Sequence, residues 1–222
     1  MTLFRRALAE GLGTALLLAA VVGSGIMGEQ LAQGNNAVAL LANSVATGLA
    51  LFALILTFAP CSGAHFNPVV TILLAFRREF APGDLAAYVA AQFMGALLGV
   101  VLAHAMFDLP LLQTSIRERA SVGQWISEIV ATFGLVFVVL SSQRAERWAA
   151  PAAIGSYIAA AYWFTASTSF ANPAVTLARG FTATFAGISP GHVAPFIGAQ
   201  IAGAALGALA NHVLSGHSSR RI

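Results

Sequence analysis

Six long apolar stretches constrain this chain more than any other feature of its sequence. Hydrophobic residues make up 58% of its 222 residues and charged residues only 9%, which excludes an ordinary water-soluble surface. The apolar runs are continuous rather than alternating, and this favours helices over the strands of a barrel. Each run approaches the roughly 20 residues that a helix needs to cross about 30 Å of hydrocarbon. They extend from Leu12 to Met27, Val38 to Ala59, Leu85 to Phe107, Gln124 to Ser141, Ala149 to Thr165 and Val193 to Leu214.

A duplicated segment indicates how these six predicted spans are arranged. Residues 82–99 match residues 190–207 without a gap, and half of the positions are identical. Each copy is preceded by a span with an early glutamate and by an Asn-Pro-x-Val-Thr segment, which gives the pairs Glu10 and Glu128, and Asn67 and Asn172. Each unit therefore has three spans, and an odd number forces the second copy to enter the membrane from the opposite face. We predict a single transmembrane domain, 1–222, made of two inverted repeats, 1–110 and 120–222.

The two Asn-Pro segments are predicted to be re-entrant. The apolar residues that follow them, Val69 to Phe76 and Ala174 to Ala178, are too few to cross a membrane. Asn is a favoured helix cap and Pro is favoured at the first helical position, so Asn67 and Asn172 should each begin a half-helix. Backbone of this kind is tolerated only where it is buried in protein or lines a wet cavity. We expect the half-helices to enter from opposite faces and to meet near the midplane.

The basic residues are all arginines, and they predict the topology because short cytoplasmic loops carry the excess of positive charge. Arg117, Arg119 and Arg179 fall on the outer side under this rule. The others fall in ends and loops that it places inside, namely Arg5, Arg6, Arg77, Arg78, Arg144, Arg147, Arg220 and Arg221. We expect a multi-pass protein of the inner (plasma) membrane with both termini cytoplasmic. Since these arginines flank spans, lipid is the expected partner and nucleic acid is not.

The paired boxes and the repeat resemble the aquaporin and aquaglyceroporin (major intrinsic protein) superfamily over essentially the whole chain. Ser62 to Thr71 is similar to the first Asn-Pro-Ala box of that family, and Phe170 to Thr176 is similar to the second. The resemblance implies an all-α fold of six transmembrane helices and two re-entrant half-helices. It also implies a passive pore for small neutral solutes and water, assembled as a homotetramer, with no enzyme activity, cofactor or metal. The pore boxes would be Asn67, Pro68, Val69, Asn172, Pro173 and Ala174.

Two facing half-helix tips would give such a pore its charge selectivity. Each carries about half a positive charge, and together they repel a cation by roughly 3 kcal/mol at an effective dielectric of about 20. By resemblance, Glu10 and Glu128 would accept hydrogen bonds from the re-entrant loops, whereas a proton or ion site is the alternative for carboxylates in spans. His65, directly before the first box, would either narrow the cytoplasmic half of the pore or be held by backbone carbonyls.

The outer selectivity filter departs from the family pattern. Family members generally have an arginine three residues after the second box asparagine, and here that residue is Val175. Counting as the family does places the other filter positions at Thr47, Ala160 and Ser169, with Tyr162 as the alternative to Ala160. Such a ring would be wide and poor in hydrogen-bond donors. Arg179 would lie in the outer vestibule or extend to external lipid headgroups.

The preferred solute is suggested by one further resemblance. The run from Thr165 to Arg179 is similar to bacterial aquaglyceroporins associated with arsenic resistance, which implies passage of neutral metalloid hydroxides such as arsenious acid, of small polyols or urea, and of some water. A water-selective aquaporin remains an alternative. An ion-coupled secondary transporter is another, since inverted repeats with broken helices also build those. Coupling needs a charge, however, and the spans offer almost none besides Glu10 and Glu128.

Overall fold

A computed structural model describes residues 1–143 and 146–215, so the predicted cytoplasmic arginines Arg144, Arg220 and Arg221 lie outside the described residues. The described chain is helical and contains no strand, which confirms the predicted all-α fold class. Short 3-10 helices at Pro82–Asp84 and Pro190–His192 lead into two of the helices. The α-helices are α1 (Leu3–Leu31), α2 (Asn36–Ser62), α3 (Pro68–Phe76), α4 (Leu85–Met106), α5 (Val122–Ser142), α6 (Ala149–Phe164), α7 (Pro173–Ala178) and α8 (Val193–Leu214).

Five of the described helices are long and apolar enough to cross a membrane, and these are α1, α2, α4, α5 and α8. The sixth predicted span is α6, which has 16 residues and is therefore about 24 Å long at 1.5 Å per residue. It packs closely against α2, because a Cβ atom added to Gly155 would lie 2.5 Å from the carbonyl oxygen of Gly48. Such close approach of glycine-containing backbones is typical of helix packing in lipid.

Each duplicated segment packs against a neighbouring helix through a glycine at the equivalent position. A Cβ atom on Gly95 of α4 would lie 2.2 Å from the backbone oxygen of Gly11 in α1. A Cβ atom on Gly203 of α8 would lie 2.3 Å from the backbone oxygen of Ile129 in α5. Real side chains do not tolerate these distances, so α1 with α4 and α5 with α8 form matching pairs that require glycine at the contact.

The two half-helices, α3 and α7, begin next to each other and end far apart. Beyond the end of α3, Glu79 Oε2 accepts a hydrogen bond from Gln143 Nε2 at 2.7 Å, at the carboxyl end of α5. Beyond the end of α7, the backbone of residues 188 and 189 bonds to Arg179 and to Arg117, respectively. Arg117 lies just before the amino end of α5. Since the 21 residues of α5 span about 32 Å, the half-helices run in opposite directions from a shared midpoint.

Candidate functional site

The amino ends of α3 and α7 are joined by reciprocal hydrogen bonds. Asn67 Nδ2 donates to the carbonyl oxygen of Ala171 at 2.8 Å, and Asn172 Nδ2 donates to the carbonyl oxygen of Phe66 at 2.7 Å. The Oδ1 atom of each asparagine caps its own half-helix, accepting from the amide of Val69 or from those of Ala174 and Val175. An amide nitrogen carries two hydrogens, so each asparagine keeps one N–H that is not used in these bonds.

A buried carboxylate holds each loop that precedes an asparagine. Glu10 accepts hydrogen bonds from the backbone amides of His65 at 3.0 Å and Phe66 at 2.7 Å, and Glu128 accepts from those of Phe170 and Ala171 at 2.9 Å each. Both glutamates are fully buried. A buried charge is costly unless it is hydrogen-bonded, and these backbone donors are what stabilises it.

A glutamine from the duplicated segment completes each of these networks. Gln92 Nε2 donates to Glu10 at 2.7 Å and to Thr71 Oγ1 at 2.9 Å. Gln200 Nε2 donates in the same way to Glu128 at 2.6 Å and to Thr176 Oγ1 at 2.7 Å. The two halves therefore support their asparagine loops with the same residue types in the same roles.

The loops themselves adopt a strained conformation that these networks maintain. Phe66 has a φ of +48° and Ala171 also has a φ of +48°, in the left-handed region that residues other than glycine rarely occupy. Each residue precedes a box asparagine, and its carbonyl is the one that accepts the bond from the opposite asparagine. Strain of this kind persists only where the surroundings over-determine it, and the buried carboxylates provide that constraint.

A cavity of about 390 Å³ runs past both asparagines. At one end, called the Arg147 end, it is lined by Gln143, Glu146 and Arg147. At the other, called the Arg179 end, it is lined by Thr47, Tyr162, Ser169, Val175 and Arg179. Most of the wall between is apolar and comes from helices of both halves, including Leu17, Val21, Leu51, Ile55, Leu135 and Ile158. The cavity therefore has polar groups at the two asparagines and at both of its ends, with a mostly apolar wall between them.

Comparison with known proteins identifies this arrangement. The family model of the major intrinsic proteins matches residues 1–171. The chain belongs to the major intrinsic protein family. Aquaglyceroporin AqpS of Rhizobium meliloti (strain 1021) is 54% identical over 202 residues, covering 91% of this chain and 86% of the relative. As a member of this family, the chain is an integral membrane channel for water and small solutes.

Other major intrinsic proteins agree with this assignment. Nodulin-26 of Glycine max is 31% identical over 208 residues, covering 90% of this chain and 75% of its own length. The X-ray structure of the aquaglyceroporin from Plasmodium falciparum superposes with a TM-score of 0.75 over 96% of this chain and 97% of that one. Its sequence identity is 21%, so it bears on the fold alone.

The residues of the major intrinsic protein signature divide into those that face the cavity and those that pack behind it. His65, Asn67 and Asn172 line the cavity. His65 Nδ1 lies 3.1 Å from Thr71 Oγ1, and the described contacts include no backbone carbonyl against this ring. Pro68, Val69, Pro173 and Ala174 are buried but do not line the cavity. Val69, which is larger than the alanine usual in the family box, packs in a cluster with Val136 and Ala204.

The filter expected at the Arg179 end is corrected at one position. Ala160 is exposed on the outside of α6 and does not line the cavity. Tyr162, the alternative, is 2% exposed and lines it, with its hydroxyl 3.2 Å from Thr47 Oγ1. The two positions are two residues apart, which is about 200° around a helix, so they point to opposite sides. A bulky phenol in this ring makes it narrower than the sequence predicts.

Arg179 was expected either in the outer vestibule or at external lipid headgroups, and its placement contradicts the second alternative. It is only 2% exposed and lines the cavity. Its guanidinium carbon lies 3.4 Å from the centre of the Phe170 ring, and its Nε donates to the carbonyl oxygen of Ala186. The Arg179 end of the cavity therefore contains a cationic hydrogen-bond donor, whereas a ring poor in donors was expected there.

Sequence reasoning did not single out several of the residues that support the site. Gln92 and Gln200 were visible as identical residues within the duplicated segment, which is the signal that points to a shared role. Arg119 gave no such signal, since it lies in the loop before α5. The structure buries it beside the site, with its guanidinium carbon 4.9 Å from the centre of the Phe170 ring.

Proposed function

We propose that this channel passes small uncharged solutes, namely metalloid hydroxides such as arsenious acid, small polyols or urea, together with some water. The observation that carries the proposal is Val175, which lines the cavity where members of the family generally have a filter arginine. A valine there leaves space for a solute larger than water. The similarity to an aquaglyceroporin over 91% of this chain supports the same solute class.

The cavity wall suits solutes of this kind. It is mostly apolar, with hydrogen-bonding groups at Asn67 and Asn172 and again at Thr47, Tyr162 and Ser169. Ser169 Oγ is buried and has no hydrogen-bond partner among the described residues. A trihydroxy solute can donate and accept hydrogen bonds at both of these levels of the cavity. It can also pass along the apolar wall between them.

A passive pore, rather than an ion-coupled transporter or an enzyme, fits the charged groups of the described residues. Glu10 and Glu128 do not line the cavity, and their carboxylates are engaged by backbone amides and glutamines. A coupling carboxylate has to be reached by the driving ion. The facing half-helix tips, each worth about half a positive charge, would further disfavour cations at Asn67 and Asn172.

Tyr162 favours one second candidate, a water-selective channel. Its side chain fills part of the ring that Ala160 would have left open, and its contact with Thr47 narrows the same level of the cavity. Water needs only a single-file passage, whereas a polyol or arsenious acid needs a wider one. The two candidates therefore differ in what they predict for solute entry and agree on water.

For the cellular setting, we propose a multi-pass protein of the inner membrane with both termini and the Arg147 end cytoplasmic. The arginine distribution supports this orientation. We further propose a homotetramer in which each subunit, built from inverted repeats 1–110 and 120–222, holds its own pore. Large apolar side chains exposed along several helices, such as Leu12, Leu49 and Leu98, leave surface for both lipid and neighbouring subunits.

Uptake into proteoliposomes tests the proposal. Vesicles containing the purified channel and matched empty vesicles are compared for osmotic water flow and for entry of glycerol, urea and arsenious acid at neutral pH. The proposal expects faster entry of at least arsenious acid and one of the organic solutes, linear in concentration and independent of a proton gradient. Fast water flow with solute entry no faster than in empty vesicles would establish the water-selective candidate instead. Saturation together with a response to the proton gradient would indicate a transporter.

A further inference from the structure

Arg179 occupies an unusual position for a charged residue. It lies at the end of α7, is 2% exposed and lines the cavity at the same end as Val175, Ser169 and Tyr162. Its Nη1 atom is buried and has no hydrogen-bond partner among the described residues. The two ion pairs found among the described residues join Arg6 to Asp84 and Arg77 to Glu79, so neither supplies a carboxylate to Arg179.

The direction of the side chain brings its charge back toward the centre of the pore. Residue 179 follows residue 175 by four positions, so the two lie on one face of the helical segment, one turn apart. Side chains in helices point toward the amino end and cover the turn before their own Cα. The guanidinium carbon accordingly lies 3.4 Å from the ring of Phe170, a residue that precedes the second box and lines the cavity.

The surrounding loops hold this guanidinium in place. The Arg179 carbonyl accepts from the amide of Ile188 at 3.1 Å, and its Nε donates to Ala186. Arg119 contacts the same Phe170 ring and is fixed by the carbonyl oxygens of Gly187 at 3.0 Å and Ser167 at 2.9 Å. Burial, and after it the charge of Arg179, lower the pKa of Arg119 to about 9, so Arg119 is still protonated at neutral pH. The two guanidinium groups share one aromatic ring, which stabilises cations by cation–π attraction.

We propose that Arg179 is the specificity-determining cation of the filter. It lies one turn from Val175 and supplies the positive charge that Val175 lacks. It repels cations that enter from its end of the cavity and offers guanidinium hydrogens to the oxygens of neutral solutes. This inference rests on the proposed function only in assuming that solutes cross the cavity past Val175. Arg119 is a positioning residue, because it touches Phe170 and the loops but not the cavity.

Guanidinium is a planar cation of nearly the same size as urea, so its entry reports the charge barrier for a molecule as small as one of the proposed solutes. A unit charge about 6 Å away at an effective dielectric of about 20 lowers the local cation population roughly a hundredfold, and water in the pore mouth reduces this to about tenfold. Entry of guanidinium and of sodium into proteoliposomes is measured and divided by the water flow of the same vesicles. We expect Arg179→Gln to raise these normalised cation leaks about tenfold and Arg179→Lys to leave them within about twofold. The half-helix tips remain in every variant, so the leaks stay small in absolute terms.

The control is Arg117→Gln, which removes an exposed arginine of the same loop region that contacts Phe185 and does not line the cavity. A second variant, Val175→Arg with Arg179→Gln, moves the charge back one turn and is expected to restore cation exclusion to within about twofold of the original chain. Arg179→Met, which keeps an unbranched side chain without the charge, covers the case in which Arg179→Gln does not fold, and the same rise of about tenfold is expected of it. The proposal is overturned if Arg179→Gln leaves the normalised leaks unchanged, if Arg117→Gln raises them as much, or if the double variant leaks as freely as a vesicle with Arg179→Gln. Because leaks are normalised to water flow, failure of solute uptake in the original chain would reject the proposed solutes without changing this result.

Discussion

The side-chain amide of Asn67 donates a hydrogen bond to the carbonyl oxygen of Ala171, across 104 residues of chain, at 2.8 Å. Asn172 returns the same bond to Phe66. The two asparagines thus have a double role, because each caps its own half-helix and fastens the loop of the other. The tips that we propose as the pore's electrostatic barrier are held together by the residues that would contact the solute.

Replacement of Asn67 by Ala tests this double role. The variant loses the cap of α3 and leaves the buried carbonyl of Ala171 without its donor, so we expect the free energy of unfolding to fall by about 2–4 kcal/mol. Asn35→Ala is the matched control, since Asn35 caps α2 in an exposed loop through the amides of Ala37 and Val38. That loss should be only about 1 kcal/mol. Unfolding in detergent measures both, and equal losses would contradict the role of the crossing bond.

Glu128→Gln tests the buried carboxylate networks. The substituted amide places a donor against backbone amides that already donate, and we expect a loss of about 3 kcal/mol in the free energy of unfolding. Glu118→Gln, in an exposed position of the loop before α5, should change it by less than about 0.5 kcal/mol. Thermal unfolding of the two variants in detergent provides the measurement. A proton-gradient-dependent flux that disappears in Glu128→Gln would instead assign this residue to proton coupling.

Gly203→Ala tests the glycine contact between α5 and α8. A Cβ atom there would lie 2.3 Å from the backbone oxygen of Ile129, so the helices must separate, and we expect a loss of about 1–3 kcal/mol. Gly198→Ala lies in the same helix with nothing within 4 Å of the added Cβ atom, and it should stabilise by up to about 1 kcal/mol through helix propensity. Opposite shifts in unfolding temperature are therefore expected, and a loss in both would refute the packing argument.

Val175→Arg tests the filter position where the family generally has an arginine. The larger cationic side chain should narrow the ring and reduce uptake of glycerol or arsenious acid by about tenfold or more, while osmotic water flow falls by less than about threefold. Val175→Leu adds bulk without charge and separates the two effects. Proteoliposome uptake measures both, and an equal reduction of water and solute would count against Val175 as a filter residue.

Tyr162→Ala distinguishes the two residues considered for one filter position. Removing the phenol widens the cavity beside Thr47, so we expect glycerol entry to rise about threefold or more relative to water flow. Ala160→Leu is the control, because Ala160 is exposed and outside the cavity, and its ratio should stay within about 1.5-fold. Stopped-flow light scattering on vesicles gives both rates. If only Ala160→Leu changes the ratio of glycerol entry to water flow, the filter residue is Ala160 and not Tyr162.

Much of the fold follows from local patterns. The apolar runs predict helices because a backbone in hydrocarbon must satisfy its hydrogen bonds internally. Asn67-Pro68 and Asn172-Pro173 predict helix starts because cap and ring geometry are local properties, and both half-helices begin there. The glycines of the duplicated segment were identifiable as packing positions for a similar reason, since small residues recur where helices approach closely.

The filter was less predictable because it depends on rotation and long-range contact. Ala160 and Tyr162 are two residues apart, so counting back from Asn172 selects the wrong one unless the length of the loop from Thr165 to Ala171 is allowed for. The sequence left Arg179 open between the outer vestibule and lipid headgroups, and it is the segment from residue 186 to 188, which bonds to Arg179, and the Phe170 ring against its guanidinium that hold it at the cavity. Neither partner lies at a spacing that sequence alone would connect with Arg179.

The sequence by itself determined the membrane environment, the helices, the duplicated segments and the two half-helices that begin at asparagines. Hydropathy and caps are local properties of a few residues, and a repeat is recognised at a fixed spacing along the chain. Only the tertiary structure decided which side chains surround the passage. It turned Tyr162 inward, buried Arg119 and Arg179 against one phenylalanine ring, and linked Gln92 and Gln200 to the carboxylates. The physical reason is that a filter is formed where several distant segments meet, so its composition depends on their mutual packing.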